Sequence, residues 1–503
     1  MKKTFKIVSL VSALLTCIAV TASAVTLDAQ VSTSTEEIYP GVVATDYFLE
    51  EGGAYSLVGP QYIRTIEFDP TQEDLAFDVV MAGQVGEKKP VSQMVDEFNA
   101  TNTENKKVIA AVNGDLWMTA EHHSRVEGES SDPVVKKELC VPRGYNIVDG
   151  EIICSQNMIQ ETPYDENFYS FGIAEDGTPY LGNIVTTVIL LDGSRTGANF
   201  TMNGINRLPA DNTIVLYTDK GPISNYCLDD AYEIVIDCDY DYTVRHGERI
   251  TGKVTAICEP GSERYTMQEN RFIITARGDK IEKVSGVQVG DEVTVSIKIK
   301  DTTGNSEAWY GITEACGGHI PVIMNGEPCN TGNDRYDPMT LIGFKPDGKV
   351  VMIVNDGRQS GYSVGINRTL FDELCVDLGV DTAFLLDGGG STTVIEMTDE
   401  GYELKNRPSD PIPGTTMAGY ERPVINAVVL SQIMPPAYTT GDINNDTLIN
   451  SADMFRLKLF IKTIVIPEET ERLAADINGD GLVNAGDTFH LSYRILYGVW
   501  INE

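Results

Sequence analysis

Four short runs decide the fold class of the large domain: EIVIDCDY (residues 233–240), GKVTAIC (252–258), FIITA (272–276) and EVTVSIKIK (292–300). Each run is rich in β-branched residues, and Gly, Pro or Asp residues separate one run from the next. This pattern is typical of short strands joined by turns. It predicts a β-rich subdomain over residues 232–300.

Shorter apolar runs outside this segment predict the rest of the large domain. Residues 369–378 have helical periodicity, with Thr369 as the N-cap and Gly379 just beyond the C-terminus. Continuous apolar runs of strand length predict buried strands at 108–112, 213–217, 349–354 and 383–386. The expected class is α+β, a large mixed β-rich domain with an inserted β subdomain.

Two twelve-residue loops near the C-terminus repeat one pattern of oxygen-bearing side chains. DINNDTLINSAD spans residues 442–453 and DINGDGLVNAGD spans residues 476–487. Side-chain oxygens at positions 1, 3, 5, 9 and 12 and a carbonyl at position 7 are what Ca²⁺ takes in an EF-hand-like loop. We expect two calcium ions, one on Asp442, Asn444, Asp446, Leu448, Asn450 and Asp453, the other on Asp476, Asn478, Asp480, Leu482, Asn484 and Asp487.

Apolar residues at helical spacing follow each loop, so each loop is expected to lead into one amphipathic helix. This loop–helix duplication resembles a dockerin and predicts a small all-α calcium-binding module over residues 441–503. The resemblance implies a cohesin module of a scaffold protein as partner, contacted by Ser451, Ala452, Ala485 and Gly486. Thr447 departs from the usual Gly at position 6. A calcium-stapled helix pair without a partner is the alternative.

The N-terminus has the composition of an export signal. Three lysines precede an apolar run over residues 7–20, and Ala-Ser-Ala at 22–24 forms a small-residue cleavage site. We expect a signal peptide over 1–24, a disordered segment over 25–38, the large domain over 39–433 and a linker over 434–440. No later run is long enough to insert in a membrane, so the protein is expected to be secreted, extracellular or attached to the cell surface through a scaffold.

Composition excludes some partners. The net charge of −36 and the pI near 4.4 disfavour nucleic acid and anionic membrane surfaces. Eight cysteines follow residue 24, which allows either disulfides, with Cys140–Cys154 and Cys316–Cys329 as local pairs, or buried free thiols. His122 and His123 are adjacent and point in different directions, so no metal is expected in the large domain.

Polar residues follow the predicted strands directly, where a rigid scaffold displays functional side chains. The largest group is DGGGST at residues 387–392, in which three glycines allow backbone N–H groups to approach an anion. A GGG run is also compatible with a plain tight loop, and Asp356 with Arg358 is compatible with a local salt bridge. The candidate site residues are Asn113, Asp115, Asp356, Arg358, Asp387, Gly388, Gly389, Gly390, Ser391, Thr392, Arg407 and Arg422.

Several stretches together resemble the phosphodiester glycosidase family. They are VIAAVNGDLW, VPRGYNIVDGEI, INRLPADNTIVLYT, LIGFKPDGKVVMIVNDGR, DGGGST, NRPSD and RPVINAVVL, in the order of the family between residues 39 and 433. The resemblance implies a secreted hydrolase that cleaves a sugar C1–O–phosphate bond of a carbohydrate or phospho-glycan. Met339 stands where the family usually has an Arg, and Arg335 lies four residues earlier as a possible substitute.

The resemblance also implies roles. Asp115 or Asp387 would be the base or nucleophile, and Asp356 would orient the site. Asn113, the three arginines Arg358, Arg407 and Arg422, and residues 388–392 would bind the sugar or phosphate. Two alternatives remain open at this point: a conventional polysaccharide O-glycosyl hydrolase, and a non-catalytic carbohydrate-binding component of a cellulosome.

Overall fold

The computed structural model describes residues 31–56, 58–102, 105–117, 140–156, 169–192, 199–221, 229–262, 266–329, 335–398, 400–434, 438–467 and 469–501. The predicted signal peptide, the His122–His123 pair, Cys227 and residues 435–437 of the predicted linker lie outside these residues. No helix in the described ranges is long and apolar enough to cross a membrane.

The strands of the described residues are β1 Val31–Tyr39, β2 Val42–Leu49, β3 Gln61–Phe68, β4 Leu75–Met81, β5 Lys106–Asn113, β6 Asn146–Val148, β7 Glu151–Cys154, β8 Ser170–Ala174, β9 Pro179–Gly182, β10 Ile184–Asp192, β11 Asn199–Met202, β12 Gly204–Ile205, β13 Ile214–Tyr217, β14 Tyr232–Asp237, β15 Arg249–Cys258, β16 Arg271–Ala276, β17 Glu292–Asp301, β18 Ile312–Gly317, β19 Pro321–Met324, β20 Glu327–Pro328, β21 Met339–Phe344, β22 Val350–Asn355, β23 Thr382–Leu385, β24 Val394–Thr398, β25 Gly401–Leu404, β26 Asp410–Pro411, β27 Ala418–Tyr420 and β28 Asn426–Ile433. The helices are α1 Val91–Thr101, α2 Ile281–Val284, α3 Arg368–Asp377, α4 Ser451–Ile461, α5 Glu469–Ala475 and α6 Ala485–Tyr497. All four strands predicted from continuous apolar runs are present.

Two sheets packed face to face carry the candidate site. Sheet 1 has the order β1-β2-β3-β22-β21-β23-β19-β20, and sheet 2 has the order β25-β24-β5-β28-β4. Apolar side chains of both sheets form one core, to which Ile66 and Met352 contribute from sheet 1 and Val112 and Val428 from sheet 2. Helix α3 covers the other face of sheet 1, and helix α1 covers the other face of sheet 2. The four layers hold the strand ends in fixed positions.

Sheets 3 and 4 also belong to the large domain, as does the two-stranded pair β26-β27. Sheet 3 has the order β7-β6-β18-β8-β9, and sheet 4 has the order β11-β10-β17-β15-β14-β16-β13-β12. The predicted subdomain over 232–300 is too short, because strands β10 to β13 belong to the same sheet. Strand β10 pairs with β17 along its whole length, from Ile184–Asp301 to Asp192–Val293. The insertion therefore begins at about residue 184, between two strands of sheet 3.

Two local predictions need correction. Residues 31–38 were expected to be disordered, but they form most of β1, which pairs antiparallel with β2. Their polar composition is compatible with an edge strand whose side chains are mostly exposed. Helix α3 is capped by Asn367 and not by Thr369, because the Asn367 side chain accepts a hydrogen bond from the Leu370 amide. Gly379 has a φ of 72° just past this helix, as predicted.

The C-terminal residues form a separate small core. Helices α4 and α6 follow the two loops as predicted, and six buried residues lie between the helices: Ile443, Leu457, Phe460, Ala474, Ala475 and Leu491. Helix α5 was not predicted, and it ends at Ala475, immediately before the second loop. The second loop therefore has a helix on each side. Within the described residues, all seven cysteines are free thiols, so neither predicted local disulfide forms.

Candidate active site and calcium module

The ends of sheets 1 and 2 meet at one place. In sheet 1, Met339 pairs with Asn355 and Leu341 with Leu385, so β21 begins where β22 and β23 end. In sheet 2, β5 ends at Asn113 where β28 begins. The Asp387 amide donates to the Gly114 carbonyl at 2.9 Å and joins the two sheet ends. The polar residues that follow these strands are therefore gathered from distant parts of the chain.

A cleft of about 310 Å³ opens at this junction. Its lining contains two carboxylates, four guanidinium groups, one imidazole and the glycine turn. The lining residues are Leu116, His319, Arg335, Asp337, Pro338, Met339, Arg358, Arg368, Leu385, Leu386, Asp387, Gly388, Gly389 and Arg422. Of the predicted site residues, the cleft thus brings together Asp387, Arg358, Arg422, Gly388 and Gly389.

Asp387 is the carboxylate placed for chemistry. It is half-buried in the cleft wall, and its Oδ1 accepts a hydrogen bond from the Gly388 amide at 2.9 Å. Burial raises the pKa of Asp387 to about 6, although the hydrogen bonds from Ser391 and Gly388 and the charge of Arg422 act to lower it. A carboxylate with a pKa in this range can accept a proton near neutral pH.

Three of the four arginines of the cleft are held by carboxylates. Asp337 binds two of them, with its Oδ1 2.8 Å from Arg358 Nε and its Oδ2 2.6 Å from Arg335 Nε. Asp410 holds Arg422 through two bonds of 2.8 Å. Arg335 thus lies beside Met339 in the cleft, the position that the sequence suggested for a substitute cation.

The triple glycine acts differently from the prediction. The amides of Gly388 and Gly389 donate to Asp387 Oδ1 and the Pro338 carbonyl, so they do not form a free anion cradle. Gly390 instead provides space, because a Cβ there would lie 2.1 Å from Asp410 Oδ1 and 2.2 Å from Arg422 Nη2. The glycines allow the Asp410–Arg422 pair to approach Asp387.

Besides Asp115 and Gly390, five predicted site residues lie outside the cleft lining. Asn113 and Thr392 are fully buried between the sheets, and Ser391 is buried with its hydroxyl 3.4 Å from Arg422 Nη1. Asp356 is buried and accepts hydrogen bonds from Asn406, Tyr362 and the Arg407 amide at 2.8 to 2.9 Å. The Arg407 guanidinium stacks on the Tyr362 ring at 3.9 Å. These residues support the site from behind, whereas direct substrate contacts were predicted for four of them.

Three cleft residues, His319, Asp337 and Arg368, were not predicted from the sequence, and a fourth, Arg335, was predicted only as a substitute for the family Arg. His319 follows two glycines, Asp337 precedes a proline, and Arg368 begins helix α3, so none of them follows an apolar strand. Arg368 Nη2 lies 3.4 Å from His319 Nδ1. Burial, with the charges of Arg368 and Arg143, lowers the pKa of His319 to about 3. His319 is therefore a neutral hydrogen-bonding group at the pH of most biological fluids.

Asp115 lies behind the cleft and not in it. It is fully buried, and its Oδ2 accepts hydrogen bonds from the Gly144 amide at 2.8 Å and from Asn146 Nδ2 at 3.0 Å. Burial raises the pKa of Asp115 to about 7, and the nearby charge of Asp387 adds to this effect. Asp115 therefore carries a proton in a large fraction of molecules near neutral pH.

Asp115→Asn is expected to stabilise the protein relative to wild type at alkaline pH. With its raised pKa, Asp115 favours the folded state below the ordinary carboxyl pKa of about 4, and this contribution is lost as the pH rises through 7. The amide does not titrate, so the difference in unfolding free energy should grow between about pH 4 and pH 8. The total increase in this difference should approach about 1.4 kcal/mol for each pKa unit that separates folded from unfolded Asp115.

Urea unfolding of both proteins at several pH values measures this difference. The same substitution at Asp347, which lies exposed in a turn, is the matched control and should retain the pH dependence of wild type. A difference between Asp115→Asn and wild type that is constant with pH would contradict the prediction.

A second, larger cleft of about 880 Å³ contains none of the predicted site residues. Its buried carboxylate, Glu314, accepts hydrogen bonds on both oxygens from the amides of Val79 and Asp149. Asp78 is paired with Lys106 at 2.6 Å. The two buried acidic groups of this cleft, Glu314 and Asp78, are thus engaged within the protein, and the smaller cleft remains the candidate active site.

The two C-terminal loops have matching hydrogen bonds. In each, the carboxylate at position 1 accepts from the amides at positions 5 and 6, and the buried carboxylate at position 12 accepts from the amides at positions 2, 3 and 9. These bonds turn the loop tightly around its side-chain oxygens. The donor set of carboxylates, amide oxygens and one carbonyl per loop fits Ca²⁺.

No group of three or more His, Cys, Asp or Glu side chains in the described residues is arranged to hold a metal ion by itself. In the loops, half of the expected ligands are Asn side chains and the carbonyl of position 7. Calcium binding by the two loops therefore stays a prediction. The expected ligands are Asp442, Asn444, Asp446, Leu448, Asn450 and Asp453 in the first loop and their counterparts at 476–487 in the second.

Thr447→Gly is expected to strengthen the first calcium loop. Thr447 has a φ of 70°, while its counterpart Gly481 has a φ of 78°. A β-branched residue in this left-handed region costs about 1 kcal/mol. We expect Thr447 to leave this conformation when no ion is bound, so that calcium binding must restore it and loses about that free energy. Calorimetric titration of the full chain with Ca²⁺ should show the weaker site tightened by about fivefold. Gly481→Thr is the matched control and should weaken the second site, and an unchanged first site would contradict the prediction.

The predicted partner contacts lie at the start of helices α4 and α6. Ser451, Ala452 and Ala485 are exposed and Gly486 is half-buried. One turn further along, Phe455 and Phe489 are 65% and 63% exposed at equivalent positions of the two repeats. Such exposed aromatic side chains are typical of protein interfaces, and the helical spacing of the apolar residues did not single them out.

Comparisons with known proteins match the large domain and the C-terminal module separately. Residues 246–431 match the family model of phosphodiester glycosidases, and residues 440–496 match the model of type I dockerin domains. Two segments of the chain therefore match known families, the phosphodiester glycosidases and the type I dockerins. Both resemblances seen in the sequence are thereby confirmed. The glycosidase match contains Asp387, Arg358 and Arg422, whereas Asp115 precedes it.

Solved structures support the fold. A hypothetical protein from Synechocystis is 16% identical with a TM-score of 0.57; the match covers 80% of this chain and 64% of that one. A putative exported protein from Burkholderia pseudomallei is 14% identical with a TM-score of 0.57, over 80% and 97% of the two chains. These similarities show the fold alone.

A third solved structure is the catalytic domain of zebrafish N-acetylglucosamine-1-phosphodiester alpha-N-acetylglucosaminidase. It is 12% identical over 80% of this chain and 87% of that one, but its TM-score of 0.38 is too low to indicate a common fold. No curated protein matches the chain.

Proposed function

We propose that the protein is a secreted glycosidase that hydrolyses a sugar-1-phosphodiester at the C1–O bond, and that its dockerin tethers it to a cohesin of a cellulosome-type scaffold. One observation carries the catalytic part. The cleft lining places four arginines and only one other carboxylate, Asp337, around Asp387, in a chain with a net charge of −36. Such a local excess of positive charge suits an anionic substrate, and guanidinium groups are the usual partners of phosphate oxygens.

The chemistry assigned to the chain is simple. Water adds to C1 of the sugar, the C1–O bond breaks, and its oxygen leaves with the phosphate as a phosphomonoester. Asp387 takes the proton from the attacking water, or attacks C1 itself and is released by water afterwards. Arg358 and Arg422, with Arg335 and Arg368, stabilise the charge that develops on the leaving phosphate.

The test uses a sugar 1-(p-nitrophenyl phosphate) beside the p-nitrophenyl glycoside of the same sugar. N-acetylglucosamine is the first sugar of the panel, followed by glucose, mannose and galactose. Cleavage at C1–O releases p-nitrophenyl phosphate, which becomes coloured only after a phosphatase is added. In H₂¹⁸O, the label should appear in the sugar and not in the phosphate.

Each other outcome points elsewhere. Colour without phosphatase, with label in the phosphate, would identify a phosphodiesterase. Cleavage of the plain glycoside alone would favour a conventional polysaccharide hydrolase, and no cleavage of any panel member would favour a non-catalytic carbohydrate-binding component. Each of these results would overturn the proposal.

Arg358→Ala is expected to raise KM for the phosphodiester by about 10- to 100-fold, because a charged hydrogen bond to substrate contributes about 1.5–3 kcal/mol. Arg407→Ala is the matched control. Arg407 was also a predicted site residue, but its guanidinium stacks on Tyr362 outside the cleft, so KM should stay within about twofold. Initial rates over a range of substrate concentrations measure both values, and equal effects of the two substitutions would contradict the assignment of the cleft.

A further inference from the structure

Three buried side chains form a closed ring of hydrogen bonds behind the cleft. The Asp115 amide donates to Asn426 Oδ1 at 2.8 Å, Asn426 Nδ2 donates to Asn146 Oδ1 at 2.9 Å, and Asn146 Nδ2 donates to Asp115 Oδ2 at 3.0 Å. All three side chains are fully buried. Such polar groups are expensive to bury, and a closed ring is one way to satisfy them.

The ring joins three strands from two sheets. Asp115 follows β5, Asn426 begins β28, and Asn146 begins β6 of sheet 3. Asn146 Oδ1 also accepts from the Gly317 amide at the end of β18, at 3.2 Å. The packing leaves no slack, because a Cβ on Gly114 would lie 2.4 Å from Asn426 Oδ1 and one on Gly317 would lie 2.5 Å from Asp115 Oδ2.

Hydrogen bonds from the residues next to Asp115 connect the ring to the backbone of Asp387, the candidate catalytic residue. Asn113 Nδ2 donates to the Asp387 carbonyl at 2.7 Å, and the Asp387 amide donates to the Gly114 carbonyl at 2.9 Å. Asn113 itself accepts hydrogen bonds from Thr340 and from the Thr393 amide. Residues 113 and 114 thus hold Asp387 through both its backbone amide and its backbone carbonyl, and the ring holds Asp115 next to them.

We infer that Asn146 and Asn426 are positioning residues of the active site: with Asp115 they lock residues 113–115, and through these the backbone of Asp387. The inference rests on the proposed function in that Asp387 is the reacting carboxylate. A displacement of about 1 Å at a reacting group can cost about 100-fold in rate. Loss of the ring should therefore reduce kcat, while the arginines that bind the substrate stay in place.

Asn146→Asp tests this with almost no change in size. The protonated carboxyl can donate to Asp115 as the amide does, but the ionised form faces Asp115 with a second negative oxygen and opens the ring. At about pH 8, kcat should fall about 100-fold with KM within about twofold, and the ratio of variant to wild-type kcat should recover towards pH 5.5. The titratable and charged groups facing the ring are Arg207, Asp387, Cys154 and Cys316.

Asn99→Asp is the matched control at the other end of β5. Asn99 links helix α1 to that strand, since its Oδ1 accepts from the Val108 amide at 3.0 Å. Its variant should have a kcat ratio that is independent of pH. Asn426→Asp removes a different bond of the ring and serves as the second variant, with folding verified by circular dichroism at each pH. A pH-independent ratio for both folded ring variants would overturn the inference.

The inference can also be tested without turnover. If wild type cleaves no phosphodiester, the proposed function fails, and the ring is then tested by the carboxyl ¹³C titration of Asp387 in wild type and in Asn426→Ser. Release of the Asp387 backbone should expose its carboxyl to solvent and move its titration midpoint down by about one unit. An unchanged midpoint in a folded variant would overturn the positioning role on its own.

Discussion

Asp387→Asn is expected to lower kcat for the sugar phosphodiester by at least about 10³-fold and to leave KM within about twofold. Of the two carboxylates that line the cleft, Asp337 is paired with Arg335 and Arg358, whereas Asp387 accepts hydrogen bonds from uncharged donors, the Gly388 amide and Ser391. The amide of Asn has nearly the same size and keeps an acceptor for Gly388. The arginines should therefore keep their geometry while the proton acceptor is lost.

Single-turnover rates with the p-nitrophenyl phosphate diester, followed by phosphatase, measure this loss. The control is Asp347→Asn, an exposed turn residue that does not line the cleft. Wild-type kcat should also fall on the acid side of about pH 6, where Asp387 takes up its proton. If Asp387→Asn kept more than about a tenth of kcat, the assignment of Asp387 as base or nucleophile would be wrong.

Removal of calcium is expected to unfold the C-terminal module and abolish cohesin binding, while the large domain remains folded and active. The module buries only six apolar residues in its core, which is little for an independent domain. It also buries the carboxylates of Asp453 and Asp487 completely. Calcium would compensate these buried charges, so its binding energy is expected to be folding energy.

Far-ultraviolet circular dichroism of the full chain with and without a chelator measures the loss of helix. Surface plasmon resonance on an immobilised cohesin should show affinity reduced by at least about 10³-fold in the chelator, in Asp453→Ala and in Asp487→Ala. The rate of phosphodiester cleavage in the same chelator is the internal control and should not change. Helical signal that persists at full strength without calcium would contradict the coupling of folding to the ion.

Local patterns predicted the elements that depend on local physics. The apolar runs at 108–112 and 349–354 became β5 and β22 because a buried strand needs little besides continuous apolar residues. Gly379 ends a helix with positive φ for a reason contained in one residue. By contrast, the partners of β10 lie about a hundred residues away in β17. The start of the inserted sheet near residue 184 therefore could not be predicted from local patterns, which placed it at Tyr232.

In the candidate site, too, local patterns identified candidate residues but not their positions relative to the cleft. Arg407 and Arg422 both belong to family-like motifs, yet only Arg422 lines the cleft, because Tyr362 holds the other guanidinium. Asp356 and Asp387 both follow buried strands, but Asn406, Tyr362 and the Arg407 amide occupy the oxygens of Asp356. Such competition for one side chain depends on residues distant in the sequence.

The sequence by itself determined the identity of the two modules, the strand and helix types, and the spacing of the oxygen groups in the two loops, since each depends on periodicity or offset along the chain. Only the tertiary structure decided which carboxylate faces the cleft, which arginines accompany it, and that Asn146 and Asn426 meet Asp115. Those outcomes depend on how strand ends from sheets 1, 2 and 3 come together, and hydrogen-bonding side chains have the same local sequence signature whether they face a substrate or another buried group.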